Sequence, residues 1–188
     1  MMIKESPLEG MMIGTATTVL IRELPGLSTL DLRVGPGTTT QTIVAETLGT
    51  NLPDKPGKTK TWTLTNGNET HALCLAPDWW IIVGFQEADQ KLMALKPNEN
   101  YHFSIVDVSG QRTTIELKGP QAREVLAHLW EQDLRDKSFP AGCVSQGLMA
   151  KAPVIVYHVA PMCYRVMVRS SFALHLWKAL VDAAEEYI

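Results

Sequence analysis

Two stretches of this chain repeat one pattern, and that repeat constrains the fold more than any other feature. Leu30-Asp31-Leu32-Arg33-Val34-Gly35-Pro36 alternates apolar with charged residues, breaks at Gly-Pro and leads into a helical segment; Ile115-Glu116-Leu117-Lys118-Gly119-Pro120 does the same. Alternation of period two marks a half-buried strand, and a Gly-Pro corner ends it. The two corners lie 84 residues apart. A second echo, Ala76-Pro77 before the apolar run 79–83 and Ala152-Pro153 before 154–157, has a spacing of 76. The pattern predicts an α+β fold of two duplicated strand–helix halves sharing a sheet-rich core; a mixed sheet without symmetry is the alternative. The expected layout is a flexible N-terminal arm over 1–12 and a single domain over 13–188. Its pseudo-repeats cover about 13–108 and 109–188.

Further elements follow from local chemistry. Residues 40–48 read as a helix stopped by Gly49, and Asn66-Gly67 as a hairpin turn, because both positions tolerate positive φ. The run Trp79-Trp80-Ile81-Ile82-Val83 does not alternate, so it predicts a strand buried on both faces. A short helix is expected near 87–95 and an apolar strand over 103–108. Ala122, Val125, Leu126 and Leu129 share one face of a helix expected over 120–130, with Pro120 at its first position. Three strands are expected near 144–149, 154–157 and 164–168. A final helix over about 172–187, capped by Ser170 or Ser171, should bury Ala173, Leu176, Trp177, Leu180 and Ala184.

Composition narrows the function. A chain of 188 residues with 45% hydrophobic residues can build its own core. Its net charge of -3 and lack of a basic run argue against nucleic-acid binding, which draws most of its affinity from phosphate neutralisation. No apolar stretch is long enough to span a bilayer, and the N-terminus lacks a secretory h-region, so no membrane role and a cytoplasmic location are expected. Three widely spaced cysteines without a C-x-x-C pattern predict reduced thiols and neither disulfides nor a zinc site.

Reactive constellations are missing from the linear sequence. There is no phosphate-binding glycine loop, no nucleophile elbow and no histidine pair at helical spacing. Asp107, at the end of an apolar strand, reads as an acceptor for turn amides or as a recognition group at a pocket or subunit contact. Arg112 could pair with it or reach a partner's carboxylate as a planar fork. Trp79 and Trp80 are adjacent on a strand and must face opposite sides; core burial and interface anchoring both remain open for them.

Several segments resemble the gamma subunits of sarcosine oxidases. They are Ser6-Pro7-Leu8-Glu9-Gly10, Ala76-Pro77-Asp78-Trp79-Trp80-Ile81, Asp107-Val108-Ser109-Gly110-Gln111-Arg112-Thr113 and Gly119-Pro120-Gln121-Ala122-Arg123. Asp133-Leu134, Phe139-Pro140-Ala141-Gly142-Cys143, Gln146 and Val168-Arg169-Ser170-Ser171-Phe172 continue the likeness. Trp79 stands where an acidic residue is expected, and Gly147 where a threonine is expected. The resemblance implies a fold like the folate-binding domain of glycine-cleavage aminomethyltransferases. It also implies a non-catalytic accessory subunit of a heterotetramer that demethylates sarcosine, or a related N-methyl amine, with tetrahydrofolate as one-carbon acceptor. The main contact would be the alpha subunit, with beta and delta subunits completing the complex. FAD, FMN, NAD, zinc and tetrahydrofolate would belong to those partners, and none to this chain. Asp107, Arg112, Gln146, Arg169 and Trp79 are the candidate partner contacts or family-motif positions; no catalytic, cofactor-binding or metal-ligating residue is expected. The alternative is a stand-alone folate-binding or aminomethyltransferase-like protein.

Overall fold

A computed structural model describes residues 6–63, 67–84, 91–95 and 101–188. The chain divides into two compact units: residues 27–109 form one, and residues 1–26 together with 110–188 form the other.

The unit 27–109 holds a five-stranded antiparallel sheet. Its strands are β3 (Ser28–Val34), β4 (Thr59–Thr63), β5 (Glu69–Ala76), β6 (Trp79–Gly84) and β7 (Phe103–Asp107), in the order β4-β5-β6-β3-β7. Helix α1 (Thr39–Leu48) follows β3 across the Gly35-Pro36-Gly37 corner. Thr38 Oγ1 accepts from the Gln41 amide, while Gln41 Oε1 accepts from the Gly37 amide, so two otherwise orphaned donors are satisfied reciprocally. Gly49 ends the helix at φ +70°. Val44 and Leu48 pack with Leu30, Leu32, Val34, Trp80 and Ile82 in this unit's apolar cluster. Trp80 through Gly84 are all buried, as the unbroken apolar run predicts for a strand covered on both faces. Asn66 and residues 87–90 of the helix expected near 87–95 lie outside the described residues, and residues 91–93 are helical.

The second unit holds a six-stranded antiparallel sheet. Its strands are β1 (Met12–Gly14), β2 (Leu20–Glu23), β8 (Arg112–Lys118), β9 (Val144–Met149), β10 (Ala152–Ala160) and β11 (Cys163–Arg169), in the order β1-β2-β8-β11-β10-β9. Helices α2 (Ala122–Ala127) and α3 (Ala173–Ala184) pack on its face carrying Ile115, Leu117, Val166 and Val168. Of the segment expected as an arm, Leu8 is fully buried in this cluster and Met12 opens β1. The Ser6 hydroxyl donates to Glu23, which also accepts from Thr113.

The two sheets repeat one topology. β3-α1-β4-β5-β6 and β8-α2-β9-β10-β11 each run strand, helix, three-strand meander, and each meander docks its last strand on the first. Even the irregularities recur. A bulge falls between Cys74 and Ala76 in β5 and, 84 residues on, between His158 and Ala160 in β10. Cys74 exchanges backbone bonds with Gly57 and Lys58, as His158 does with Gly142 and Cys143. The 84-residue spacing is therefore the structural one. The 76-residue echo is not: Ala152-Pro153 opens β10, the counterpart of β5, whereas Ala76-Pro77 ends β5 and leads into β6. The fifth strand of each sheet is exchanged along the chain. β2 precedes β3 but pairs with β8, and β7 precedes β8 but pairs with β3.

Two helices differ from expectation at their ends. α2 begins at Ala122 because Gly119, at φ +134°, and the Gln121 amide are tied to Met162 and Thr18 carbonyls. A Cβ on Gly119 would lie 2.3 Å from the Thr18 oxygen, so only glycine fits there. The helix stops at Ala127, and the chain turns so that Trp130 can bridge to Met149. Ser170 does not cap α3. It opens a 3₁₀ turn (Ser170–Phe172), its amide donating to Gln111 and its hydroxyl to Gly110. The inward face of α3 is the expected one: Ala173, Leu176, Trp177, Leu180 and Ala184 are buried.

Candidate partner-docking site

The five sequence-derived candidates separate between the units. Trp79 and Asp107 lie in 27–109; Arg112, Gln146 and Arg169 lie in the other. Trp79 is half-buried at the start of β6. Its Nε1 donates to Asp31 Oδ2 at 3.0 Å, and the Arg33 guanidinium stands 4.3 Å from its ring centroid. Arg33 also lies 3.6 Å from Asp31 and 3.9 Å from Asp78. An indole face and two carboxylates thus share one cation, an arrangement in which the ring quadrupole contributes beside exposed ion pairs of small individual worth.

Asp107 closes β7 and accepts from the Ser109 amide at 2.9 Å and hydroxyl at 2.5 Å, while Ser109 Oγ accepts from the Thr29 amide. Its geometry is that of a turn organiser. Arg112 and Arg169 are direct cross-strand partners on β8 and β11. Gln146 is exposed on β9, where its carbonyl accepts from Gln132 Nε2 at 3.2 Å. Together with the Trp130–Met149 bridge, that contact covers part of the outer backbone of an edge strand.

A polar row centred on a buried carboxylate was not legible in the sequence. Arg22, Glu116 and Arg165 are register neighbours on β2, β8 and β11, and Tyr157 on β10 continues the row. Glu116 is 3% exposed. Its Oε1 accepts from Arg22 Nε at 3.0 Å and Nη2 at 2.7 Å, and its Oε2 from Arg165 Nε at 3.1 Å. Burial alone would raise its pKa; hydrogen bonds and charge from the two arginines outweigh that and hold the carboxyl below its usual range. Burial, reinforced by the Glu116 charge, pushes the neighbouring Cys163 thiol up to about 11. Burial likewise pushes the Tyr157 phenol up to about 12. The signal was present as a charge between two apolar residues of a central strand, but its partners sit 94 and 49 residues away in sequence. The row holds strands together; a carboxylate clamped by two guanidinium groups is a poor general base.

A cavity of about 300 Å³ opens in the same unit beside the stacked rings of His158 and Tyr164, with Arg123 and Asp136 among its walls. A broader groove of about 690 Å³ in the other unit runs along α1 past Gln41, Glu46 and Lys60. Neither Asp107 nor Arg112 lines either space. Among the described residues no three His, Cys, Asp or Glu side chains gather to hold a metal ion, and no helix is long and apolar enough to cross a membrane.

Comparison with known proteins agrees with this architecture. The chain is 27% identical over 173 residues to the sarcosine oxidase subunit gamma of Corynebacterium sp. (strain P-1), covering 92% of this chain and 83% of that one. It superposes with a TM-score of 0.82 and 26% identity on a chain of the heterotetrameric sarcosine oxidase from Corynebacterium sp. U-96, solved in complex with pyrrole 2-carboxylate; the match covers 97% of this chain and 95% of that chain. The glycine cleavage system aminomethyltransferase T from Bartonella henselae shares the fold, with a TM-score of 0.62 at 14% identity over 89% of this chain and 46% of that one. The sequence profile of the sarcosine oxidase gamma subunit family matches residues 38–186, and the chain belongs to that family.

Proposed function

We propose that this chain is the gamma subunit of a heterotetrameric sarcosine oxidase and works by presenting a folded surface to larger subunits. The observation that carries the reading is the near-complete structural match to a chain of such a heterotetramer. The internal chemistry supports it. Asp107 is engaged by its own turn, Glu116 by two arginines, and all three cysteines are buried. In this reading the alpha subunit is the main contact and beta and delta subunits complete the assembly. FAD, FMN, NAD, zinc and tetrahydrofolate reside in those partners, and the complex is cytoplasmic. Half-buried Trp79 and Arg112 and exposed Asp107, Gln146 and Arg169 are the candidate docking contacts.

The test is co-expression with the alpha, beta and delta subunits followed by size-exclusion chromatography read at the flavin absorbance. Co-elution of this chain with the flavin peak, and sarcosine-dependent oxygen uptake by that peak but not by the isolated chain, is the expected result. Elution apart from the flavin, or amine turnover by the chain alone, refutes the proposal.

A further inference from the structure

The cavity beside His158 has at its wall a residue pair unlike the equivalent pair in the other sheet. In the unit 27–109, Trp80 is the register partner of Cys74; it is fully buried, and its own Nε1 donates to the Pro53 carbonyl at 2.9 Å. In the other unit the equivalent pair is His158 and Tyr164, with ring centroids 4.2 Å apart and planes 19° from parallel. There the histidine makes the tie to the preceding connector: His158 Nδ1 lies 2.9 Å from the Phe139 carbonyl. A carbonyl oxygen only accepts, so Nδ1 carries the proton, and in the neutral ring Nε2 is a lone-pair acceptor. His158 is 2% exposed, and its Nε2 is buried without a hydrogen-bond partner among the described residues. An unmatched buried acceptor is costly and calls for an explanation in terms of what completes it.

The lining defines what fits. Pro120, Pro140, Pro161 and Met162 present apolar faces that suit a flat ring, and the volume has room for one such group. Arg123 lies 3.6 Å from Glu124 and 3.9 Å from Asp136, so its charge is already opposed. A carboxylate would face the lone pair of Nε2, and an ammonium group would meet an acidic wall residue, Asp136, that already has a cationic neighbour in Arg123.

We infer that this cavity is the socket for an aromatic side chain bearing a neutral O–H or N–H donor, a tyrosine or tryptophan of a partner subunit, whose donor completes His158 Nε2. The inference rests on the docking function proposed above. Buried aromatic anchors of this kind dominate interface energetics. Met162, 56% exposed at the cavity's edge, offers adaptable contact to the incoming chain.

Ala141→Trp tests it, because Ala141 is exposed, lines the cavity, and can place an indole in its mouth without entering the core. The readout is the dissociation constant of the complex with the alpha, beta and delta subunits. An unchanged melting temperature of the free chain with at least tenfold weaker assembly supports the inference. Pro161→Trp, at another exposed lining position, serves as the second variant should the first destabilise the chain. A photo-reactive benzoylphenylalanine at 141 should cross-link beside a tyrosine or tryptophan of a partner. Wild-type affinity in both blocked variants overturns the inference while leaving the docking function intact; a cross-link beside a lysine or carboxylate overturns the assigned donor. Failure of the wild-type chain to assemble overturns the docking function itself.

Discussion

The indole of Trp130 occupies the space that a side chain at residue 147 would need: a Cβ on Gly147 would lie 2.8 Å from Trp130 Cη2 and 3.1 Å from Cζ3. Trp130 leaves the end of α2 to reach this place, bridges to Met149 and joins the apolar core. Gly147, the residue that departs from the threonine expected by family resemblance, is thus matched to a specific aromatic neighbour.

Gly147→Thr should therefore destabilise the chain by about 1–3 kcal/mol through overpacking. Urea unfolding would measure it. In a double-mutant cycle, Trp130→Ala should remove most of that penalty, because the clash disappears with the ring. Strict additivity of the two changes would show that the contact is not the cause.

Glu116→Gln should cost about 3 kcal/mol, since it removes the counter-charge of the largely buried Arg165, while the exposed Arg22 loses little. The pH dependence has a definite sign. The folded pKa of Glu116 is depressed, so its contribution is complete above the ordinary carboxylate pKa, about 4.3, and is lost as pH falls through the folded value. Wild-type stability should drop over that acid range, and the variant's should drop less. Parallel acid-unfolding curves would contradict this.

The thiols should be inert in the native state. Burial first, then nearby acidic charge, pushes Cys74 and Cys163 up to about 11, and Cys143 is buried too. At pH 8 the first two are thiolate at the level of roughly one part in a thousand. A disulfide-exchange reagent should release three equivalents in denaturant and react only slowly without it. Fast labelling of one thiol in the folded chain would speak against the packing around it.

Leu8→Ala should destabilise the unit containing 110–188 by about 2–5 kcal/mol, because Leu8 is fully buried with Val19, Ile21 and Leu117. A change below about 0.5 kcal/mol, the range of ordinary surface substitutions, would mean that this segment does not join the core in solution.

What could be read ahead of the structure was whatever is local. The alternation around Leu30 and Ile115 placed β3 and β8, and the spacing of Leu176, Trp177, Leu180 and Ala184 placed the inner face of α3. Long-range pairing was not legible. Trp130 ends the segment read as a helix, beside its core face, yet its position is decided by Met149 and Gly147 on a strand that comes later. The Ala-Pro echo looked like a second copy because dipeptides carry no register. Among the candidate contacts, Asp107 was readable as a turn acceptor from its place before Ser109-Gly110. His158 was not readable as a cavity wall, because its neighbours Pro120, Arg123 and Asp136 meet it only through the fold.

The exchange of β2 and β7 between the sheets has a consequence for how the molecule is made on the ribosome. All of residues 27–109 emerge as one block and can pair off as soon as they are synthesised. β1 and β2 emerge earlier but have no sheet to join until β8 appears, about 90 residues later; at roughly 5–20 residues per second, that is a wait on the order of 5–20 s. During it Val19 and Ile21 lack the strand and core that bury them in the finished fold, so this early segment is the last part of the first 109 residues to gain its cover.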